Sequence, residues 1–307
     1  PTSQPPTSGL PKHAVTGYWQ NFDNGATVQR LRDVQSAYDI IAVSFADADP
    51  SKPGGITFTL DSALASKLGG YTDADFKADI AAKHAAGKRV VLSVGGQNGT
   101  ISVGDSTAAA NFANSAYSLM QQYGFDGVDI DLENGVNATY MAQSLHSLAS
   151  KAGSGFILTM APETIGMYNT SGAYFQLALA VKDILTVVNT QFYNSGSMNG
   201  CNGNVYSQGT VDFITSQVCT HIQGGLRPDQ VGIGVPASSR AAGSGYVDPS
   251  VVDNALDCLA TGTHCGSFIP PAKWPTIRGA MTWSTNWDAA NGNAFSTTVG
   301  SHVHSMP

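Results

Sequence analysis

Residues 124–133 read Gly124-Phe125-Asp126-Gly127-Val128-Asp129-Ile130-Asp131-Leu132-Glu133. Side chains alternate across a β-strand, so Asp129, Asp131 and Glu133 share one face while Val128, Ile130 and Leu132 share the other. The apolar face suits packing on a layer of helices, with the three carboxylates turned into an enclosed interior. A solvated charged face would not carry Val, Ile and Leu opposite it. A calcium loop would want flexible oxygen ligands and a turn glycine, whereas Ile130 and Leu132 mark a packed strand. Unpartnered buried charge is costly, and like charges this close cannot all ionise freely, so at least one pKa in the row should rise. A carboxylic acid so raised is what a general acid needs. Glu133, last in the row, is best placed to meet a substrate. Asp126 has the outward parity and suits support of the start of the strand.

Seven further strand-like runs lie at 14–19, 39–46, 88–96, 155–163, 186–194, 230–238 and 277–285. Segments of helical period separate them. Phe112, Ala116, Leu119 and Tyr123 repeat at that spacing after the cap candidates Asp105 and Ser106, as do Met141, Leu145 and Leu148, and Val211, Ile214, Val218 and Ile222. Further helices are expected over 25–37, 73–86, 173–184, 248–261 and 295–304. Eight strands each followed by a helix is the arithmetic of a (β/α)₈, or TIM, barrel: an α/β fold in one catalytic domain over 13–307. An open doubly wound sheet is the alternative, because spacing alone does not prove closure. Residues 1–12, rich in Pro, Ser and Thr and without periodicity, read as the remnant of a linker to another module. Active sites of such barrels sit where strands end and loops lead to helices.

The chain has 307 residues, 42% hydrophobic, which is enough for a sizeable core. Charged residues are 12%, about half the usual share of roughly 25%, so Ser, Thr, Asn, Gln and Gly must keep the surface soluble, as suits an exported protein. Net charge is −7 with no run of Lys or Arg, which excludes the basic stripe of a nucleic-acid binder. No stretch approaches the roughly 20 apolar residues of a membrane span. Four cysteines favour two local disulfides, most simply Cys201–Cys219 and Cys258–Cys265 among three pairings, and hence an oxidising, extracellular compartment. There is no CxxC, and His221 and His264 lack zinc-ligand spacing, so no metal is expected. His302 and His304 read as part of a solvated tail. No G-x-S-x-G, H-E-x-x-H, Walker A or post-strand G-x-G-x-x-G occurs, and no cofactor is expected. Asn98, Asn137 and Asn169 begin N-x-S/T triplets.

The pattern D-x-x-D-x-D-x-E from Asp126 to Glu133 resembles the signature of family 18 glycoside hydrolases, the chitinases and their relatives. Ser93-Val94-Gly95-Gly96 resembles that family's second motif, and the likeness runs from Gly17-Tyr18-Trp19 to Met281-Thr282-Trp283. The resemblance implies retaining hydrolysis of β-1,4-linked N-acetylglucosamine polymers. The nucleophile is then the substrate's own N-acetyl oxygen, an exception to the two-carboxylate scheme. By the same resemblance Glu133 is the acid and then the base, Asp131 holds the acetamido N–H, and Asp129 sets the protonation and rotamer of Asp131. Tyr193 donates to the acetamido oxygen, an oxyanion-hole-like contribution. Trp283 floors the reacting sugar.

Gln191, of inward parity, and Asn194 are expected to line the site. Met160 is expected against the N-acetyl methyl, or as a gap-filler. Glu163 suits a bond to sugar hydroxyls or a helix cap. Trp19 and Trp287 fall at or just past strand ends, where sugar faces could rest, whereas Trp274, Tyr18 and Phe45 fit core or rim packing. Between Ser238 and Ile277 there are 38 residues (239–276), too few for the α+β insertion of larger members, which predicts an open groove and internal cleavage. The expected partner is chitin or a chitooligosaccharide, bound by a monomer with no nucleic acid and no membrane. Rival readings are an endo-β-N-acetylglucosaminidase acting on N-glycan cores and a chitin lectin. Such lectins typically lack the terminal acid, which this chain keeps as Glu133.

Overall fold

The computed structural model describes residues 9–307. The linker reading of 1–12 therefore falls largely outside the described residues. Of the remainder, Pro11 and Lys12 accept hydrogen bonds from Arg278 at the floor of the fold.

Eight parallel strands form the centre: β1 Ala14–Gln20, β2 Ile40–Ala48, β3 Arg89–Gly96, β4 Gly127–Leu132, β5 Ile157–Met160, β6 Val187–Gln191, β7 Val231–Pro236 and β8 Gly279–Trp283. Each pairs with the next, and β1 pairs with both β2 (Thr16↔Ile40) and β8 (Ala14↔Gly279). The sheet closes on itself, which excludes the open doubly wound alternative. Alternate residues of each strand face the interior or the helix layer, and the larger core lies in that outer layer. There Val128, Ile130 and Leu132 pack with Phe112, Ala116, Leu145 and Leu148.

The helices are α1 Ser62–Lys67, α2 Asp73–Ala85, α3 Ser106–Tyr123, α4 Ala138–Ala152, α5 Ala173–Ala180, α6 Val211–Gln223, α7 Pro249–Thr261, α8 Thr285–Ala290 and α9 Ser301–Ser305. Their starts follow from capping chemistry. The Asp105 carboxylate accepts from Ala108 N at 2.8 Å to open α3, and Gly124, at φ +89°, ends it in the left-handed region that favours glycine. Thr72 and Asp75 form a reciprocal capping box on α2.

One expected helix does not form. Segment 25–37 is irregular chain of bends and turns, with a single 3₁₀ turn at Leu31–Asp33. Leu31 and Val34 are buried as a helical period requires, but their neighbourhood takes its hydrogen bonds from outside. The Leu31 N–H donates to the Tyr71 hydroxyl at 3.2 Å, and the Arg32 N–H to Asp79 at 3.3 Å. Tertiary partners thus replace the intrahelical ladder. The 295–304 segment begins as a wider π turn at Ser296–Gly300 before α9, and α5 ends four residues short of its expected end at 184.

Both expected disulfides are present, Cys201–Cys219 and Cys258–Cys265. The first ties the small hairpin of Ser197–Asn199 and Val205–Ser207 to α6. The second closes the loop after α7. Between β7 and β8 there is α7 and irregular chain, with no added α+β unit. Among the described residues, no helix is long and apolar enough to cross a membrane.

Candidate active site

The ladder of β3, β4 and β5 builds the site rung by rung. Ser93, Asp129 and Thr159 stand on one rung, so two hydroxyls flank one carboxylate. Ser93 Oγ donates to Asp129 Oδ2 at 2.6 Å and Thr159 Oγ1 to Oδ1 at 2.6 Å. Tyr18, inward-facing on β1, donates from across the barrel to Oδ2 at 2.7 Å. Burial pushes the Asp129 carboxyl up, and these three donors pull it back. A carboxylate that accepts three hydroxyl protons is stabilised as the anion.

Asp131 occupies the next inward position, level with Gly95. It is buried, and its Oδ1 accepts from Gln191 Nε2 at 2.9 Å. The same amide donates to Ala161 O at 2.8 Å, which fixes its orientation. Burial first, then the charges of Asp129, Glu133 and Glu163, holds Asp131 well above the usual carboxylate range. Both buried carboxyls are raised, Asp131 the more strongly, because the charges of its acidic neighbours add to its burial while three hydroxyls oppose the burial of Asp129. Glu133 lies one residue past the end of β4 with its side chain open to the cleft. Its pKa is also raised, by desolvation first and by the Glu163 charge, with Gln191 opposing.

The two glycines after Ser93 are required by close approach. A Cβ on Gly95, at φ +123°, would lie 2.1 Å from the Asp131 carbonyl oxygen, and one on Gly96 would lie 2.6 Å from the Phe45 ring. That ring stacks on Trp283 at 5.7 Å between centroids and 8° between planes, and Phe22 lies 6.1 Å from Trp283. Together they make an aromatic platform on a cleft of about 1090 Å³ that also exposes Asp131, Glu133, Gln191 and Tyr193. Tyr193 is half-buried; desolvation and the nearby Asp131, Glu133 and Asp129 charges keep its phenol protonated, as a donor. Asn194 sits on the rim at φ +53°, its Oδ1 accepting from Ser244 N at 3.0 Å. Among the described residues, no group of three or more His, Cys, Asp or Glu side chains is arranged to hold a metal ion.

An inward acidic row thus lies under an aromatic platform at the barrel mouth, and residues 14–302 match the family model described as Glycosyl hydrolases family 18. The chain belongs to that family. It is similar to Chitinase Chi52 of Paenibacillus xylanexedens, with 41% identity covering 92% of this chain and 60% of the relative. Exochitinase 1 of Streptomyces olivaceoviridis is 36% identical over 97% of this chain and 58% of its own length. The chain thus spans about three-fifths of the length of these curated relatives. The crystal structure carrying the name Chitinase A from Streptomyces coelicolor superposes with a TM-score of 0.93 at 66% identity, over 95% of this chain and 99% of that one.

Several expected site residues of this family 18 domain lie elsewhere. Trp19 is not at the mouth: it is fully buried on the outer face of β1, where its Nε1 donates to Gln29 O at 3.0 Å and its ring meets Phe76. Its strand alternates Thr16, Tyr18 and Gln20 inward against Val15 and Trp19 outward, so Tyr18 and not Trp19 faces the acids. Met160 is likewise excluded from the cleft. It shares a rung with Ile130 and packs in the outer core, because Thr159 holds the inward position beside Asp129. Trp287 is buried beneath the Arg240 guanidinium, 5.0 Å from its ring centre, and offers no sugar platform. Asp126 anchors the foot of β4, accepting from Val90 N at 2.8 Å and facing His84 Nε2 at 2.7 Å. Two residues that act on the row were not expected there, Tyr18 because it fitted core or rim packing and Thr159 because it carried no motif; their polar side chains at inward parity were the available signal.

Proposed function

We propose that this domain hydrolyses β-1,4-linked N-acetylglucosamine polymers internally, with retention, using the substrate's acetamido group as nucleophile. The observation that carries the reading is the graded surroundings of three acids along one strand. Asp129 accepts from three hydroxyls, Asp131 above it is held well above the usual carboxylate range by burial and its acidic neighbours, and Glu133 is a raised acid at the open end. Glu133 gives its proton to the glycosidic oxygen as the C1–oxygen bond breaks. The acetamido carbonyl oxygen closes on C1, forming an oxazolinium ion. Asp131 accepts the acetamido N–H and, sharing charge with Asp129, offsets the positive charge that develops there. Tyr193 donates to the acetamido oxygen. Glu133, now a carboxylate, takes a proton from the water whose oxygen attacks C1 and reopens the ring. Trp283 supports the apolar face of the reacting sugar.

The short β7–β8 connection leaves the groove unwalled on that side, which favours binding along the polymer rather than at its end. Relatives are named both chitinase and exochitinase, so the internal mode rests on the groove. Two disulfides and the low charge support a secreted protein, acting as a monomer on chitin or chitooligosaccharides.

A time course on chitohexaose with native protein and Glu133→Gln, following product sizes and anomers, tests the reading. Early β-anomeric dimers to tetramers, absent in the variant, are expected. Intact chitohexaose together with cleavage of N-glycan cores would move the assignment to an endo-β-N-acetylglucosaminidase. Tight chitin binding with no cleavage of either would make the domain a lectin.

A further inference from the structure

Glu133 stands one residue beyond β4, at a point where the sheet has let go of one side of the strand. Toward β3 the pairing runs on to Gly96↔Leu132, but toward β5 it stops at Ile130↔Met160. The Ile130 carbonyl still accepts from Ala161 N at 3.0 Å. Carbonyls two residues apart on a strand point to the same side, so the Leu132 carbonyl also faces β5. By then β5 has left. Past Met160 the chain turns at Pro162 toward β6, where the Pro162 carbonyl accepts from Gln191 N at 2.9 Å and Glu163 bridges to Gln191. The Leu132 carbonyl, a strong acceptor, is therefore without the donor that the next residue of β5 would have supplied.

Tyr174, in the first turn of α5, fills that place. Its Oη donates to Leu132 O at 2.9 Å from a side chain buried in the outer core. Gly166 gives the ring its bed: a Cβ there would lie 3.3 Å from Tyr174 Cδ2. Burial first, then the Asp131 and Asp129 charges, raises the phenol well above its ordinary range, which keeps it protonated as a donor.

The Leu132 carbonyl and the Glu133 N–H belong to one planar peptide unit. A donor fixed on that carbonyl therefore orients the plane from which the Glu133 side chain departs. On the reading of Glu133 as acid and base given above, we infer that Tyr174 is a positioning residue for Glu133, acting through the Leu132 carbonyl from behind the sheet. Proton transfer needs the carboxyl within hydrogen-bond reach of the glycosidic oxygen. The strand that should have steadied this end of β4 has been spent on β6, and a helix residue supplies the missing contact.

The test compares native protein and Tyr174→Phe, which removes the hydroxyl and keeps the ring. Two substrates are used: chitohexaose, whose sugar leaving group needs a proton, and dinitrophenyl chitobioside, whose leaving group departs without one. In the variant, kcat/KM on chitohexaose should fall about tenfold, short of the roughly 100-fold that a full 1 Å displacement can cost. The loss should lie in kcat more than in KM, and the dinitrophenyl substrate should be cleaved at the native rate. A merely structural role would lower both substrates together, so an equal loss on both, or no loss on either, overturns the inference. If Tyr174→Phe does not fold, Gly166→Ala, which presses on the ring and keeps the hydroxyl, is read in the same way. Native protein that cleaves neither substrate gives a different result and defeats the hydrolytic reading itself.

Discussion

The Tyr18 phenol donates to Asp129 Oδ2 at 2.7 Å across the barrel interior, coupling the first strand to the fourth. With Ser93 and Thr159 it opposes the rise that burial imposes on the Asp129 pKa. Tyr18→Phe removes one donor to a charged group, an interaction worth about 1.5–3 kcal/mol. Asp129 then binds its proton more tightly. Since the row works with Asp129 ionised, protonation on the way down in pH arrives sooner, and the acid limb of the rate profile moves to higher pH. The expected result is a fall in kcat of about tenfold with a smaller change in KM. A variant with the native profile would reduce Tyr18 to packing.

Glu163 bears on the other limb. Its negative charge is one cause of the raised Glu133 pKa, and the general acid must be protonated to act. Activity is thus lost as pH rises through the Glu133 pKa. Glu163→Gln removes the like charge, lowers that pKa, and should shift the alkaline limb of kcat to lower pH. An alkaline limb that stays in place would separate the two residues.

Trp283 stacks on Phe45 and Phe22 yet remains partly exposed. Trp283→Ala should lower kcat/KM by about tenfold or more through lost sugar stacking, while unfolding stays cooperative. Denaturation curves measured beside the kinetics decide the matter. Loss of the cooperative transition would make Trp283 a core residue.

His221 is buried between Phe192, stacked at 8°, and Phe175, and neither ring nitrogen has a hydrogen-bond partner among the described residues. Burial pushes its pKa down to about 3, against about 6.5 in an unfolded chain. The unfolded state therefore binds the extra proton first. The stability contribution is complete above about 6.5 and is lost as pH falls toward about 3, at up to about 1.4 kcal/mol per unit. His221→Leu should flatten the acid side of the stability curve, read from urea midpoints at about pH 7 and about pH 4. A native-like slope in the variant would assign acid sensitivity to other groups.

Much of the fold was legible because strand and helix periods are local properties. All eight barrel strands and most helices follow from spacings within single segments, and of the three cysteine pairings the simplest, between sequence neighbours, is the one present. The 25–37 segment shows the limit. Val28, Leu31 and Val34 repeat at a helical interval, but Tyr71 and Asp79, each more than 35 residues away in sequence, take over its backbone donors. Trp19 and Met160 fail for a related reason. Each lies one residue from an inward position, and within a continuous apolar run the parity becomes visible only once a neighbouring strand sets the register.

The sequence by itself determined the acidic row. Two-residue alternation in 127–133 is enough to put Asp129, Asp131 and Glu133 on one face, and the glycines after Ser93 mark where chain must pass close to that face. Which groups govern the row was decided by closure. Gln191 meets Asp131 only once β5 has set β6 beside β4, and Tyr18 meets Asp129 only once the sheet has curved round to bring β1 to face β4. Those contacts link residues 111 and 60 positions apart. No local period reports them, because they depend on the curvature of the whole barrel.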